Sequence, residues 1–119
     1  MKVKFNIPHI TGNEIEYIQK VISSGHISGN GKFTKKIENF FNINFGLKST
    51  FVTTSCTDAL EMTGLLSNIN SESEIIIPSY TFVSSANAFA LRGAKIIFCD
   101  SRSDHPGIDE ELIERLITS

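Results

Sequence analysis

Three stretches carry side chains whose types and spacing could do chemistry. The first is Thr54-Ser55-Cys56-Thr57, after the β-like run 49–53 and before a helix-like run over residues 57–66. The first backbone N–H groups of a helix have no internal partner, and its dipole is positive at that end. Small hydroxyl residues there let an anion approach, phosphate above all. Plain capping by Ser55 or Thr57 accounts for the same residues and is, on spacing alone, the commoner case. Cys56 at a helix start has the setting of a reactive thiol. It has no histidine within its motif to act as base, so it reads better as a small filler.

The second stretch is Pro78-Ser79-Tyr80-Thr81-Phe82-Val83-Ser84-Ser85-Ala86-Asn87, which also follows a β-like run. An aromatic at that place can stack on a flat ring while the Ser55 turn holds that ring's phosphate. A phenylalanine is more often core. Convergence favours the stacking role, because ligands of open α/β sheets bind outside the carboxyl ends of strands. The third stretch is the loop Gly25-His26-Ile27-Ser28-Gly29-Asn30-Gly31-Lys32. It fails as a phosphate loop, since His26 stands where the first glycine belongs and Phe33 where Ser or Thr belongs. It follows no strand, so it is no dinucleotide fingerprint either. By pattern alone it is a surface loop.

The elements that must position these stretches come from periodicity. Ile15, Ile18, Val21 and Ile22 make one helical face, with Gly25 as a stop. Phe33, Ile37, Phe40 and Phe41 make another, ending near Gly46. Three short apolar runs follow, at 50–53, 75–77 and 95–99, and each reads as a strand. Each precedes a helical stretch, at 57–66, 82–91 and 110–117, the last with Asp109 as N-cap. The alternation predicts βαβ units in a mostly parallel sheet. The continuous runs Ile75-Ile76-Ile77 and Ile96-Ile97-Phe98 predict cover on both sheet faces. Three strands leave open edges, which points to the front part of a longer protein.

The 119 residues suit one ordinary domain, and the net charge of −2 gives no cationic field for nucleic acid. No window approaches a membrane span, and the N-terminus lacks a signal-peptide pattern. Cys56 and Cys99 have no CxxC spacing, so a reduced, cytoplasmic protein is expected. His9, His26 and His105 are isolated from the thiols and from one another, so no metal site is expected.

Together the stretches resemble the DegT/DnrJ/EryC1/StrS sugar aminotransferases, pyridoxal-phosphate enzymes of fold type I. The resemblance runs through the 24–31 loop and the 33–45 helix to Ser55-Cys56-Thr57-Asp58-Ala59-Leu60, where the family usually reads Ser-Gly-Thr-x-Ala-Leu. It continues through Pro78 to Val83, then Arg92-Gly93-Ala94-Lys95-Ile96-Ile97-Phe98-Cys99-Asp100 and Ile108 to Glu114. It implies an α/β fold: the N-terminal part of a fold type I large domain, a mostly parallel sheet with flanking helices. Residues 1–46 would form a helical segment and substrate loop, and 47–119 the first part of the cofactor-binding large domain. The resemblance further implies pyridoxal 5'-phosphate as cofactor. Ser55, Cys56 and Thr57 would hold its phosphate, Phe82 would stack on its ring, and His26 and Ser28 would lie near the substrate. The implied reaction moves an amino group from L-glutamate to a dTDP-linked 4-keto-6-deoxy sugar, in a homodimer. The family's Schiff-base lysine and its ring-nitrogen aspartate lie farther along than residue 119. The 119 residues alone are therefore expected to be inactive, and molten or aggregated. Three other readings compete. They are a sugar dehydratase of the same family with histidine in place of that lysine, a non-catalytic truncated product, and a stand-alone nucleotide-binding module.

Overall fold

The computed structural model describes residues 2–4 and 6–118. The chain divides into two compact units, Met1–Val52 and Thr53–Ser119.

The first unit holds α1 (Glu14–Ser23) and α2 (Lys32–Phe45). α1 forms on the Ile15, Ile18, Val21, Ile22 spacing and ends two residues before Gly25, as the sequence predicts. Its entry is fixed by Glu14 rather than by the formal cap, Asn13, which makes no side-chain capping bond. The Glu14 carboxylate accepts from the Thr11 N–H at 2.7 Å, the Thr11 hydroxyl at 2.8 Å and the Gly12 N–H at 2.9 Å. These bonds, the Thr11 N–H first, hold its pKa down from 4.5 to about 2. A carboxylate whose folded pKa is depressed stabilises above its ordinary value and loses that contribution as pH falls. Amide protection at Tyr17 and Ile18 is therefore expected to decay between pH 4.5 and about 2. In Glu14→Gln it should stay flat across that window; identical profiles for the two proteins would sink the assignment.

α2 ends on Gly46, whose φ of 63° is the left-handed cap that favours glycine. Tyr17 of α1 meets Phe33 of α2 edge-on, with ring centroids 5.4 Å apart. Phe41 stacks on Phe45 at 5.4 Å. Neither helix buries a residue, and Ile15, Ile18, Ile22, Phe40 and Ile43 are all more than half exposed. This uncovered apolar surface is the physical basis for expecting association.

The second unit runs α3 (Cys56–Leu66), β1 (Glu74–Pro78), α4 (Val83–Ala90), β2 (Lys95–Cys99) and α5 (Glu110–Leu116). β1 and β2 pair in parallel, with Glu74 opposite Lys95 and Pro78 opposite Cys99. The Lys95 ammonium reaches Glu74 at 2.7 Å across the start of the ladder. The Ser79 N–H donates to the Cys99 carbonyl at 2.7 Å beyond its end. Ile77, Ala88, Ala94 and Cys99 form the buried core. Asp109 caps α5 by accepting from the Glu111 N–H.

Two expectations need correction. Residues 50–53 form no strand, because a β-run needs a neighbour to complete its backbone hydrogen bonds and has none among the described residues. Phe51 is accordingly 74% exposed. The sheet is also not covered throughout: Ile77 is buried, whereas Phe98, its register partner on β2, is 59% exposed.

Candidate functional site

The candidate site starts from the first turn of α3. Ser55 is its N-cap, with extended backbone at φ −152° and ψ 164°. Its hydroxyl accepts from the Asp58 N–H at 3.1 Å. Capping by Ser55 is thus real, and it uses only one of the free N–H groups. Those of Cys56 and Thr57 have no partner among the described residues, nor has the Thr57 hydroxyl. The turn is braced on both sides. The Thr53 hydroxyl donates to the Ser55 carbonyl at 2.8 Å, and the Thr54 hydroxyl donates to the Asp58 carboxylate. That second bond, followed by the one from Ser55, holds the Asp58 carboxyl below its usual range. Cys56 is exposed and Cys99 buried, both as free thiols.

Ser55→Ala removes one capping bond. It is expected to cost about 1 kcal/mol in the first turn of α3, a roughly fivefold faster amide exchange at Ala59 and Leu60. Unchanged exchange would show that the Thr54–Asp58 brace holds the turn alone.

The second element is α4. Phe82 is its N-cap at φ −75° and ψ 144°, and its side chain is 75% exposed rather than core. The Thr81 hydroxyl bonds to the Ser85 hydroxyl at 2.9 Å and fixes that turn. α3 and α4 pack closely where Gly64 faces Ala88 and Arg92. A β-carbon at Gly64 would lie 2.8 Å from the Arg92 Nε and 3.5 Å from the Ala88 carbonyl. The Arg92 guanidinium also donates to the Glu61 carbonyl at 3.2 Å. Gly64 and Ala88 both stand in the second half of their helices, so the C-terminal halves of α3 and α4 pack on each other. The free N–H groups of Cys56 and Thr57 open α3, and the exposed ring of Phe82 stands at the start of α4.

His26 and Ser28 belong to the first unit. The His26 Nε2 lies 3.3 Å from both the Gly29 carbonyl and the Ser28 hydroxyl.

Residues 8–119 match the DegT/DnrJ/EryC1/StrS aminotransferase family. The chain belongs to this family. A GDP-perosamine synthase of Escherichia coli O157:H7 is 32% identical over 112 residues, 94% of this chain and 31% of that protein. A sugar aminotransferase of Streptococcus pneumoniae, solved in its PMP form, superposes with a TM-score of 0.86 at 28% identity. It is matched over 99% of this chain and 30% of its own. The GDP-4-keto-6-deoxy-D-mannose-3-dehydratase of Escherichia coli, solved with hydrated PLP, shares the fold alone: TM-score 0.79 at 21% identity, over 95% of this chain and 30% of its own. The chain therefore spans about a third of the length of the relatives it matches. Its α/β fold is that of the N-terminal part of the fold type I large domain found in these sugar aminotransferases.

Within this family member, sequence reasoning missed the Thr54–Asp58 brace and the Arg92–Gly64 contact. Thr-x-x-x-Asp across a helix start was a signal for the first. The second depends on which helices pack and has no local signal.

Proposed function

We propose that this chain supplies the cofactor-phosphate turn and ring platform of a nucleotide-sugar aminotransferase that uses pyridoxal 5'-phosphate. The observation that carries the reading is the first turn of α3 in a chain of this family. Two N–H groups and one hydroxyl lie free there, and an exposed phenylalanine opens the neighbouring helix α4.

The residues fit the cofactor. The Cys56 and Thr57 N–H groups and the Thr57 hydroxyl would donate to the phosphate, and the helix dipole favours its charge. Ser55 keeps the turn in place by capping. Cys56, where the family usually has glycine, keeps the same N–H. Phe82 would take the face of the pyridine ring and fix its plane. Asp58 is the one local opponent of an anion, and its charge is engaged by the Thr54 hydroxyl. When bound, the cofactor supplies the electron sink for moving an amino group. His26 and Ser28 would face the sugar.

The substrate reading is finer. The string PSYTFVSSANAFALRGAKIIF and the Ser-Cys-Thr turn resemble dTDP-4-amino-4,6-dideoxygalactose transaminase. We take the amino donor as L-glutamate, the acceptor as a dTDP-linked 4-keto-6-deoxy sugar, and the working protein as a cytoplasmic homodimer. The relatives named GDP-perosamine synthases support a nucleotide-linked sugar as acceptor, with a different nucleotide.

The test is a read of the source gene past the codon for Ser119. An in-frame aspartate-bearing strand followed by a Ser-x-x-Lys segment supports amino transfer. A histidine at the lysine position overturns it in favour of dehydration. A stop codon overturns it in favour of a product that can only bind.

A further inference from the structure

Asn30 is the only asparagine of the chain that is followed by glycine. The pair stands in the bend that leads into α2, with Asn30 exposed and Gly31 as the formal N-cap. Asn30 holds the left-handed conformation, at φ 62°. Neither its side-chain amide nor the Gly31 N–H has a hydrogen-bond partner among the described residues. The Asn30 Cγ and the Gly31 nitrogen are therefore both unengaged, and Gly31 has no side chain to hinder their approach.

Other asparagines are held or hindered. Asn70, followed by Ser71, is the nearest rival in sequence. Its side-chain NH2 donates to the Asn68 carbonyl at 3.4 Å, and its side-chain carbonyl accepts from the Glu72 N–H at 2.8 Å. The Asn42 side chain accepts from the Thr50 hydroxyl, and that of Asn44 donates to the Phe40 carbonyl. Asn68 shares the positive φ of Asn30, at 54°, but precedes the β-branched Ile69. The Ile69 N–H is itself bonded to the Gly64 carbonyl at 3.1 Å.

α2 meanwhile opens without the charge that a helix start favours. It has no side-chain cap bond and no acidic residue in its first turn. Lys32, Lys35 and Lys36 instead place positive charge where the dipole is already positive. Glu38 answers Lys35 at 3.0 Å, which leaves Lys32 and Lys36 without a carboxylate among the described residues.

We propose that Asn30–Gly31 is a spontaneous modification site, which deamidates through a cyclic imide and so places a carboxylate at the entry to α2. The Gly31 nitrogen attacks the Asn30 Cγ and gives up its proton. The Cγ–Nδ2 bond breaks, and the amide nitrogen leaves with that proton as ammonia. Solvent water then opens the imide at either carbonyl, giving aspartate or isoaspartate. Nothing is oxidised or reduced. The step does not depend on the proposed function, although in that reading the new charge arises beside His26 and Ser28.

The test is prolonged incubation of the 119-residue chain in neutral buffer, with peptide mapping by mass spectrometry and enzymatic methylation of isoaspartate. The peptide bearing Asn30 should gain acid and isoaspartate, with release of ammonia, while that bearing Asn70 stays intact. In urea, Asn70 should react as well. An intact Asn30 in buffer, or equal conversion of Asn30 and Asn70 there, overturns the proposal. Gly31→Ala should slow the conversion severalfold by hindering the attack. The φ of −80° at Gly31 suits alanine, and its β-carbon would meet only the exposed ring of His26, at 3.2 Å from Cδ2. An unchanged rate in that variant overturns the imide route. Asn30→Asp supplies the product's charge genetically. Amide exchange at Lys35 and Lys36 should then slow about two- to fivefold, an advantage that shrinks with added salt. Exchange equal to that of the parent chain overturns the placement of the carboxylate at the entry to α2.

Discussion

The 119-residue chain, given pyridoxal 5'-phosphate, L-glutamate and a dTDP-linked 4-keto-6-deoxy sugar, is expected to transfer amino groups no faster than free cofactor. Amino transfer needs an amine beside the cofactor to hold its aldehyde carbon covalently and to shuttle protons. The unit that carries Cys56, Thr57 and Phe82 has one lysine, Lys95. Lys95 opens β2, and its ammonium is engaged by Glu74 at 2.7 Å. The strands are parallel, so Lys95 lies at the edge where they begin, whereas α4 starts beyond the edge where they end. Five-residue strands separate those edges by about 13 Å. Loss of a positioned acid–base group alone typically costs about 100- to 10,000-fold in rate. Turnover above the cofactor blank, dependent on Lys95, would overturn this reading of the site.

Some of this was legible because the deciding interactions are local. Phe33, Ile37, Phe40 and Phe41 recur at helical spacing and Gly46 closes the helix, so α2 could be read within a residue of its bounds. Asp109 announces α5 in the same way. The apolar Ile75 and Ile96 runs carry strand propensity and did find each other. The run at 50–53 carries the same propensity and forms no strand, because propensity cannot supply a partner. The entry to α1 carries a local signal as well. Thr11-Gly12-Asn13-Glu14 contains the Thr-x-x-Glu pattern of a capping box, and the glutamate half of that box forms. At the candidate site, the residue types of the Ser55 turn pointed to two uses, cap and anion cradle. Only the structure shows that Ser55 does the first while leaving Cys56 and Thr57 free for the second.

That division of labour makes Cys56→Pro the sharpest test of the cradle. Cys56 is the first residue of α3, where proline is well tolerated because the missing N–H has no helical partner. The residue before a proline must be extended, and Ser55 at φ −152° and ψ 164° already is. The substitution therefore removes one proposed phosphate donor and spares the helix. A hydrogen bond to a charged group contributes about 1.5–3 kcal/mol, so pyridoxamine 5'-phosphate should bind about 10- to 150-fold more weakly. Pyridoxamine without its phosphate should bind weakly to both proteins and equally well. The amine form of the ligand is used because it cannot condense with surface lysines. Helical content should match the parent chain, which separates loss of a donor from loss of α3. Thr57→Val should weaken binding too, through the hydroxyl alone. If Cys56→Pro binds pyridoxamine 5'-phosphate as tightly as the parent chain, the phosphate does not sit on the first turn of α3. The free N–H groups there would then be met by water, and Ser55 would be a cap and nothing more.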